Sequence, residues 1–400
     1  MSALLDRTLA HLAALVAFDT RNPPRTIGTG GIFDYVRQHL PGFAITVTDH
    51  GGGSVSLYAV RGAPRLLFNV HLDTVPDSPR WSADPFALRV AGGHAVALGA
   101  CDIKGAAAGL LAAAETDGSL ALLFTTDEEG AKPRCVKAFL DSLPLPSGER
   151  RGGAPDGGSP THGDAAGTES SPRSLSRREI GFKAVIVAEP TCGEAVLAHR
   201  GIQSVRVQFR GRAGHASAPQ RPGDSALHQA VRWGNAALDY ADAQATQAFG
   251  ELTGMRFNLG RIEGGIKPNM IAPEAEVRFG MRPLPSTDMD ALLQRLRGLA
   301  SHAPAAFEET FRGAPLPADS ATATQRLQVA HALADELGIA VGAAVDFWTE
   351  AALFSGAGYP ALVFGPGDIA QAHSADEWVA LAQLQAYAET VQRLVGEGKA

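Results

Sequence analysis

Cysteine is scarce in this chain: Cys101, Cys135 and Cys192 are the only three in 400 residues, an odd number without paired spacing. That excludes a disulfide framework as the basis of the fold and points to a cytoplasmic protein. Long apolar runs are missing too. Charge or glycine interrupts each one well short of the ~20 residues a membrane span needs, so no membrane partner is expected. Basic charge is not in excess, with 35 Lys and Arg against 42 Asp and Glu and a formal net charge of −7. No basic stripe is available to neutralise phosphates, which argues against nucleic acid as a partner. Residues 1–20 lack the pattern of a signal peptide; instead Leu4, Leu5, Leu9, Leu12 and Val16 recur at helical spacing. Internal repeats are absent. Residues 147–172 contain no Val, Ile, Leu, Met, Phe, Trp or Tyr, and 14 of these 26 are Gly, Pro or Ser. Such a stretch cannot bury enough apolar surface to offset its ordering entropy, so a flexible insertion is expected over 147–178.

What is present is a set of short apolar runs that end in acids or histidine. Residues 66–70 read as a central strand covered on both faces, and His71 and Asp73 follow directly. A hairpin about Gly92 and Gly93 and an alanine-rich helix opening after Asp102 come next. Residues 120–124 form a second buried strand that leads to Asp127, Glu128 and Glu129; residues 184–188 form a third, which leads to Glu189. Strand, helix and strand with acids at the carboxyl ends predict an α/β sheet, where sites form outside those ends. From residue 191 to about 304 the pattern changes to alternating strands and amphipathic helices, as for a separate α+β domain with one wet sheet face. The tail returns to α/β, with a strand at 361–364, His373, and a terminal helix from 376 to about 396.

His71 with Asp73, Asp102, Glu128 with Glu129, Glu189 and His373 thus gather imidazoles and carboxylates from separate segments of one sheet. These are ligand types suited to Zn²⁺, Mn²⁺ or Co²⁺. Two such ions require a bridging carboxylate, and adjacent Glu128 and Glu129 can divide the work, one as ligand and one as proton acceptor. Plainer roles stay open at this level. Asp102 also suits capping the helix after it, Glu189 an ordinary turn before Pro190, and His215 a loop. Arg200 and Arg282 suit ion pairs with nearby carboxylates.

In this order the motifs resemble the family of co-catalytic zinc amidohydrolases that includes acetylornithine deacetylase, aminoacylase, succinyl-diaminopimelate desuccinylase and carboxypeptidase G. The resemblance rests on His71-Leu72-Asp73-Thr74, Gly99 to Gly105, Asp127-Glu128-Glu129-Gly130 and Ala188-Glu189-Pro190-Thr191. Gly211 to Ser217, Gly264-Gly265 with Asn269, and Ala372-His373-Ser374 complete it. It implies a metallopeptidase-like catalytic domain with a central mixed sheet over 1–190 and 305–400, and an inserted lid and dimerisation domain over 191–304. It implies two divalent ions, zinc first with cobalt or manganese as alternatives. His71 and Glu189 would hold one, Glu129 and His373 the other, with Asp102 bridging, Asp73 orienting His71 and Glu128 acting as general base. His215 would stabilise the oxyanion, from its own or the partner subunit of a homodimer, and Arg200, Asn269 and Arg282 would contact substrate.

The expected substrate is an N-acyl amino acid. Within the acetylornithine deacetylase branch, which Asn22-Pro23-Pro24 fits, that means N-acetylornithine or N-acetylcitrulline and a step in arginine biosynthesis. A related desuccinylase or dipeptide carboxypeptidase is the alternative, and a catalytically dead metal-binding interaction protein the non-enzymatic one. Two departures stand out. Ala100-Cys101 precedes Asp102 where relatives often have arginine or glycine, which places a thiol near the metals and predicts sensitivity to oxidation. Thr349-Glu350-Ala351 stands where Thr-Asp-Ala is frequent, which bears on the dimensions of the substrate pocket.

Overall fold

A computed structural model describes residues 2–130, 134–143, 181–219, 221 and 223–397. The expected insertion at 147–178 lies outside the described residues. The main sheet has six strands in the order Ala44–Asp49, Val55–Arg61, Leu120–Thr125, Leu66–His71, Ala184–Val187 and Ala361–Val363. The last four run parallel and the first two antiparallel, so the sheet is mixed. Alternation along Leu66–His71 sends its side chains into two cores. Leu67 joins Ala121, Leu123, Val185 and Val187 on one face, while Phe68 and Val70 join Leu122, Phe124 and Ile186 on the other. That is why the run reads as continuously apolar.

Helices Ala3–Val16, Lys104–Ala114 and Leu381–Glu397 cover the second face, and Cys135–Ser142 and Ala351–Gly356 the first. Lys104–Ala114 is buried along its whole length. Its alanines and glycines let the neighbouring helices approach closely: a Cβ on Gly109 would lie 2.9 Å from the Tyr387 ring. No helix among the described residues is long and apolar enough to cross a membrane.

The second unit is a four-stranded antiparallel sheet, ordered Arg256–Gly264, Glu274–Arg282, Ile202–Arg210, Ala306–Gly313. Val205, Val207 and Phe209 alternate inward against Trp233, whose indole nitrogen donates to Leu296 O at 2.9 Å. Helices Ala226–Ala243 and Met289–Arg297 supply this cover.

Two features differ from the sequence reading. Strand Ala306–Gly313 lies beyond residue 304, where the inserted unit was expected to close. Half of its residues are exposed, Glu308, Glu309 and Arg312 among them, so no apolar alternation marks it. Residues after Asp376 do not start the terminal helix directly. Trp378–Ala380 first pairs with His94–Val96, and the helix begins at Leu381.

Candidate active site

Four parallel strands end on the same side, so the residues that follow them meet in one place. His71 is the last residue of its strand and is 2% exposed. Its Nδ1 donates to Asp73 O at 3.0 Å, with Asp73 Oδ1 at 3.4 Å. That fixes Nε2 as the atom free to face the site. It lies 3.4 Å from Asp102 Oδ1 and 3.8 Å from Glu189 Oε1. His373 Nε2 sits 3.0 Å from Asp102 Oδ2 and 3.0 Å from Glu129 Oε1. Asp102 therefore directs one oxygen to each histidine. Two groups could each hold a cation, His71 with Asp102 and Glu189, and Asp102 with Glu129 and His373, and Asp102 is common to both. It does not cap the helix after it: the N-cap position is Ile103, and no side-chain cap bond is made there.

Asp73, Asp102, Glu128, Glu129 and Glu189 outnumber the two imidazoles, and most of this charge is buried. Burial, with Asp102 and Glu129 nearby, pushes the Glu189 carboxyl up to about 7 against the pull of His71. Burial also drives Glu128 well above the ordinary range, helped by Glu189 and Glu129 and opposed by His71. Burial opposes ionisation of Asp102, yet His373 and His71 together hold it well below that range. Bonds to Asp102 and Glu129 raise His373 to about 10. Such an excess of buried negative charge, with oxygen and nitrogen donors in two overlapping sets, fits divalent cations. His373 is 53% exposed and marks the open side of the cluster.

The remaining expected residues scatter. His215 and Asn269 share a short ribbon, Gly214–His215 paired with Met270–Ile271, in which Ala216 N donates to Asn269 O at 3.0 Å. His215 is exposed, and its Nδ1 lies 2.6 Å from Ser217 Oγ. Among the described residues, no hydrogen bond or ion pair joins it to the carboxylate cluster. Arg282 is partly buried, which lowers its pKa, and no carboxylate among the described residues forms an ion pair with it. Arg200 forms the ion pair that the sequence also allowed for it. It is fully buried, and its guanidinium is taken up by Asp346, Gly254 O and Thr253 O. Each of its three nitrogens donates to one of these partners, so the group ties chain segments together.

Cys101 departs from expectation. It is buried, its Sγ donates to Asp368 O at 3.3 Å, and burial with Glu377 and Asp102 raises the thiol pKa steeply. A buried thiol held protonated is a poor nucleophile. Glu350 lies in the core behind the cluster, 1% exposed and accepting from Thr125 Oγ1 at 3.1 Å, so its extra methylene does not shape a pocket wall. Sequence reasoning missed Asn22. Its amide donates to Asp73 Oδ2 at 3.0 Å and Thr126 O at 3.1 Å, while Glu129 N donates to the same Asp73 oxygen at 3.1 Å. Its signal was the Asn22-Pro23-Pro24 motif, which placed the chain in a branch of the family but said nothing of a contact with Asp73.

The pattern of Peptidase family M20/M25/M40 matches residues 67–397. The chain belongs to that family. It is 56% identical over 398 residues to the N-acetyl-L-citrulline deacetylase of Xanthomonas campestris pv. campestris, covering 99% of each chain. An acetylornithine deacetylase of Pectobacterium atrosepticum is 28% identical over 349 residues, 84% of this chain and 80% of the relative. Among solved structures, aminopeptidase PepT of Bacillus cereus matches with a TM-score of 0.68 at 16% identity, covering 99% of each chain. That likeness bears on the fold alone. The chain is thus an M20 hydrolase with the metallopeptidase-like α/β fold of a metal-dependent family.

Proposed function

We propose that this M20 hydrolase removes the acetyl group from N-acetyl-L-citrulline, with N-acetyl-L-ornithine the nearest competitor, in arginine biosynthesis. The similarity over the whole chain to a deacetylase of that description supports the substrate. The observation that carries the chemistry is the pair of Asp102 oxygens, one 3.4 Å from His71 Nε2 and the other 3.0 Å from His373 Nε2. His71 and Glu189 would hold one divalent ion and Glu129 and His373 the other, with Asp102 shared between the two sets; zinc would be the preferred ion, with cobalt or manganese able to replace it. Such ions would supply Lewis acidity toward the scissile carbonyl and toward a water molecule.

The chain's own residues do the rest. Glu128, with its raised pKa, takes the proton of the attacking water and delivers it to the departing amine. Asp73 holds the His71 ring through Nδ1 and is itself held by Asn22. Arg282 binds the substrate carboxylate, Asn269 its backbone, and His215 the developing oxyanion. Because His215 stands away from the cluster, it arrives by closure of the inserted unit or from a second subunit. The inserted unit exposes Val231 and Leu238 on helix Ala226–Ala243 and Ile262 on the edge strand Arg256–Gly264, which supports a homodimer through that face.

Steady-state kinetics test the substrate across N-acetyl-L-citrulline, N-acetyl-L-ornithine, N-succinyl-diaminopimelate and a dipeptide. The expected order puts N-acetyl-L-citrulline first in kcat/KM, with reversible loss on chelation. A higher kcat/KM for the succinyl compound or the dipeptide would replace this reading with the alternative hydrolase.

A further inference from the structure

Glu377 lies in the segment that carries His373, four positions further on. It is 1% exposed and belongs to neither candidate ligand group. Its Oε1 accepts the backbone N–H of Cys101 at 2.8 Å and of Asp102 at 2.8 Å, and its Oε2 accepts that of Gly99 at 3.0 Å. Its own carbonyl accepts Ala97 N at 3.2 Å. The next residues, Trp378–Ala380, continue the contact by pairing with His94–Val96. Asp376 on its other side accepts from Ser82 Oγ at 2.8 Å and Arg89 Nη2 at 2.7 Å. One buried carboxylate thus serves as the acceptor around which the irregular stretch 99–102 is folded.

That stretch ends in Asp102, whose two oxygens must face opposite ways at once. A bridging carboxylate tolerates little rotation, because turning it toward one ion withdraws it from the other. Among the described residues, the Asp102 side chain is matched only by the two histidines it faces, so its direction is set by the backbone that bears it. Two of the bonds to Glu377 Oε1 are made by that backbone and its immediate neighbour. The same glutamate is covalently continuous with His373. It therefore spaces the Asp102 loop from the His373 loop directly, without touching an ion or the substrate. We propose that Glu377 is a positioning residue that sets the bridging geometry of Asp102 against His373, an inference that rests on the two-ion reading above.

The test is a titration of Co²⁺ into metal-free wild type, Glu377→Gln and Glu377→Asp, followed by visible absorption and calorimetry, with metal-free melting curves as the check on folding. Glu377→Gln keeps the shape but sets an amide N–H₂ against a backbone N–H. Glu377→Asp keeps the charge but draws the oxygens back by one methylene. Both variants should bind Co²⁺ about 10–100-fold more weakly, as outer partners of metal ligands typically do. Both ions should be affected, because the bridge serves both, and the absorption bands should shift. Wild-type affinity and spectrum in Glu377→Gln would overturn the proposal, and so would full rescue by Glu377→Asp, which would make charge alone sufficient. If Glu377→Gln does not fold, Glu377→Asp alone decides, and wild-type binding by it would overturn the proposal. A wild-type chain that takes up fewer than two ions would overturn the two-ion reading first, and this proposal with it.

Discussion

Glu128 and Glu129 are neighbours in sequence with different surroundings. Glu129 is drawn to His373 at 3.0 Å, and its backbone N–H is anchored on Asp73. Glu128 stands apart from both cation sets, and its surroundings are set by burial first and then by His71, Glu189 and Glu129. A carboxylate left out of both cation sets, with its pKa raised by burial, has the properties of a base. Glu128→Gln removes basicity at constant volume. It should keep its metals and its fold while kcat drops about 10²–10⁴-fold, measured by elemental analysis beside steady-state kinetics. Wild-type turnover in that variant would remove Glu128 from the chemistry. Arg200 shows the opposite situation: a residue type suited to binding substrate, buried and engaged by contacts inside the protein.

Between the two units, the chain passes through a short element centred on His199. This residue is fully buried and bridges by backbone to both Leu316 and Val345. Its Nδ1 lies 2.8 Å from Arg200 O and its Nε2 3.1 Å from Thr349 Oγ1. Burial lowers the imidazole pKa to about 4 from the 6.5 of an exposed histidine. The sign follows from proton binding. Above about pH 6.5 both folded and unfolded chains are neutral here, and the site adds no pH dependence. Below it the unfolded chain takes up a proton that the folded one refuses. Stability should therefore fall as pH drops from about 6.5 to about 4, by at most about 1.4 kcal/mol per unit from this residue. Denaturant midpoints across that range should show a shallower slope for His199→Gln than for wild type; identical slopes would mean that the residue protonates freely when folded.

For the whole molecule, the decisive question is how the His215 ribbon meets the carboxylate cluster. The ribbon belongs to one unit and all the candidate ligands to the other. If the partner subunit supplies His215, mixing inactive His215→Ala with inactive Glu128→Ala should restore part of the activity, because a hybrid dimer contains one intact site. Each variant alone should be slow, and His215→Ala should lose about 10²–10³ in kcat as one oxyanion donor typically does. Subunit exchange without recovered activity would place the histidine within its own chain. Unchanged kcat in His215→Ala would reject the oxyanion role.

Parts of the protein whose cause is local can be read along the chain. Apolar runs of strand length, cut off by His71, Glu128, Glu129 or Glu189, mark both the parallel strands and the acids beyond them, because burial and chemistry change abruptly at a strand end. Ligand types are likewise legible, since few side chains hold metal ions. Only tertiary structure decided which groups are left free and which are used up. Glu377 meets residues 275 to 278 positions away, Asn22 meets Asp73 from 51 away, and the bonds of Arg200 and His199 span 146 and 150 positions to Asp346 and Thr349. Strand Ala306–Gly313 escaped for a related reason, because its place is defined by pairing with Ile202–Arg210 and not by a pattern of its own. Hydrogen bonds and ion pairs between distant segments leave no periodicity in the chain, so the supports of the site stay invisible until it is folded.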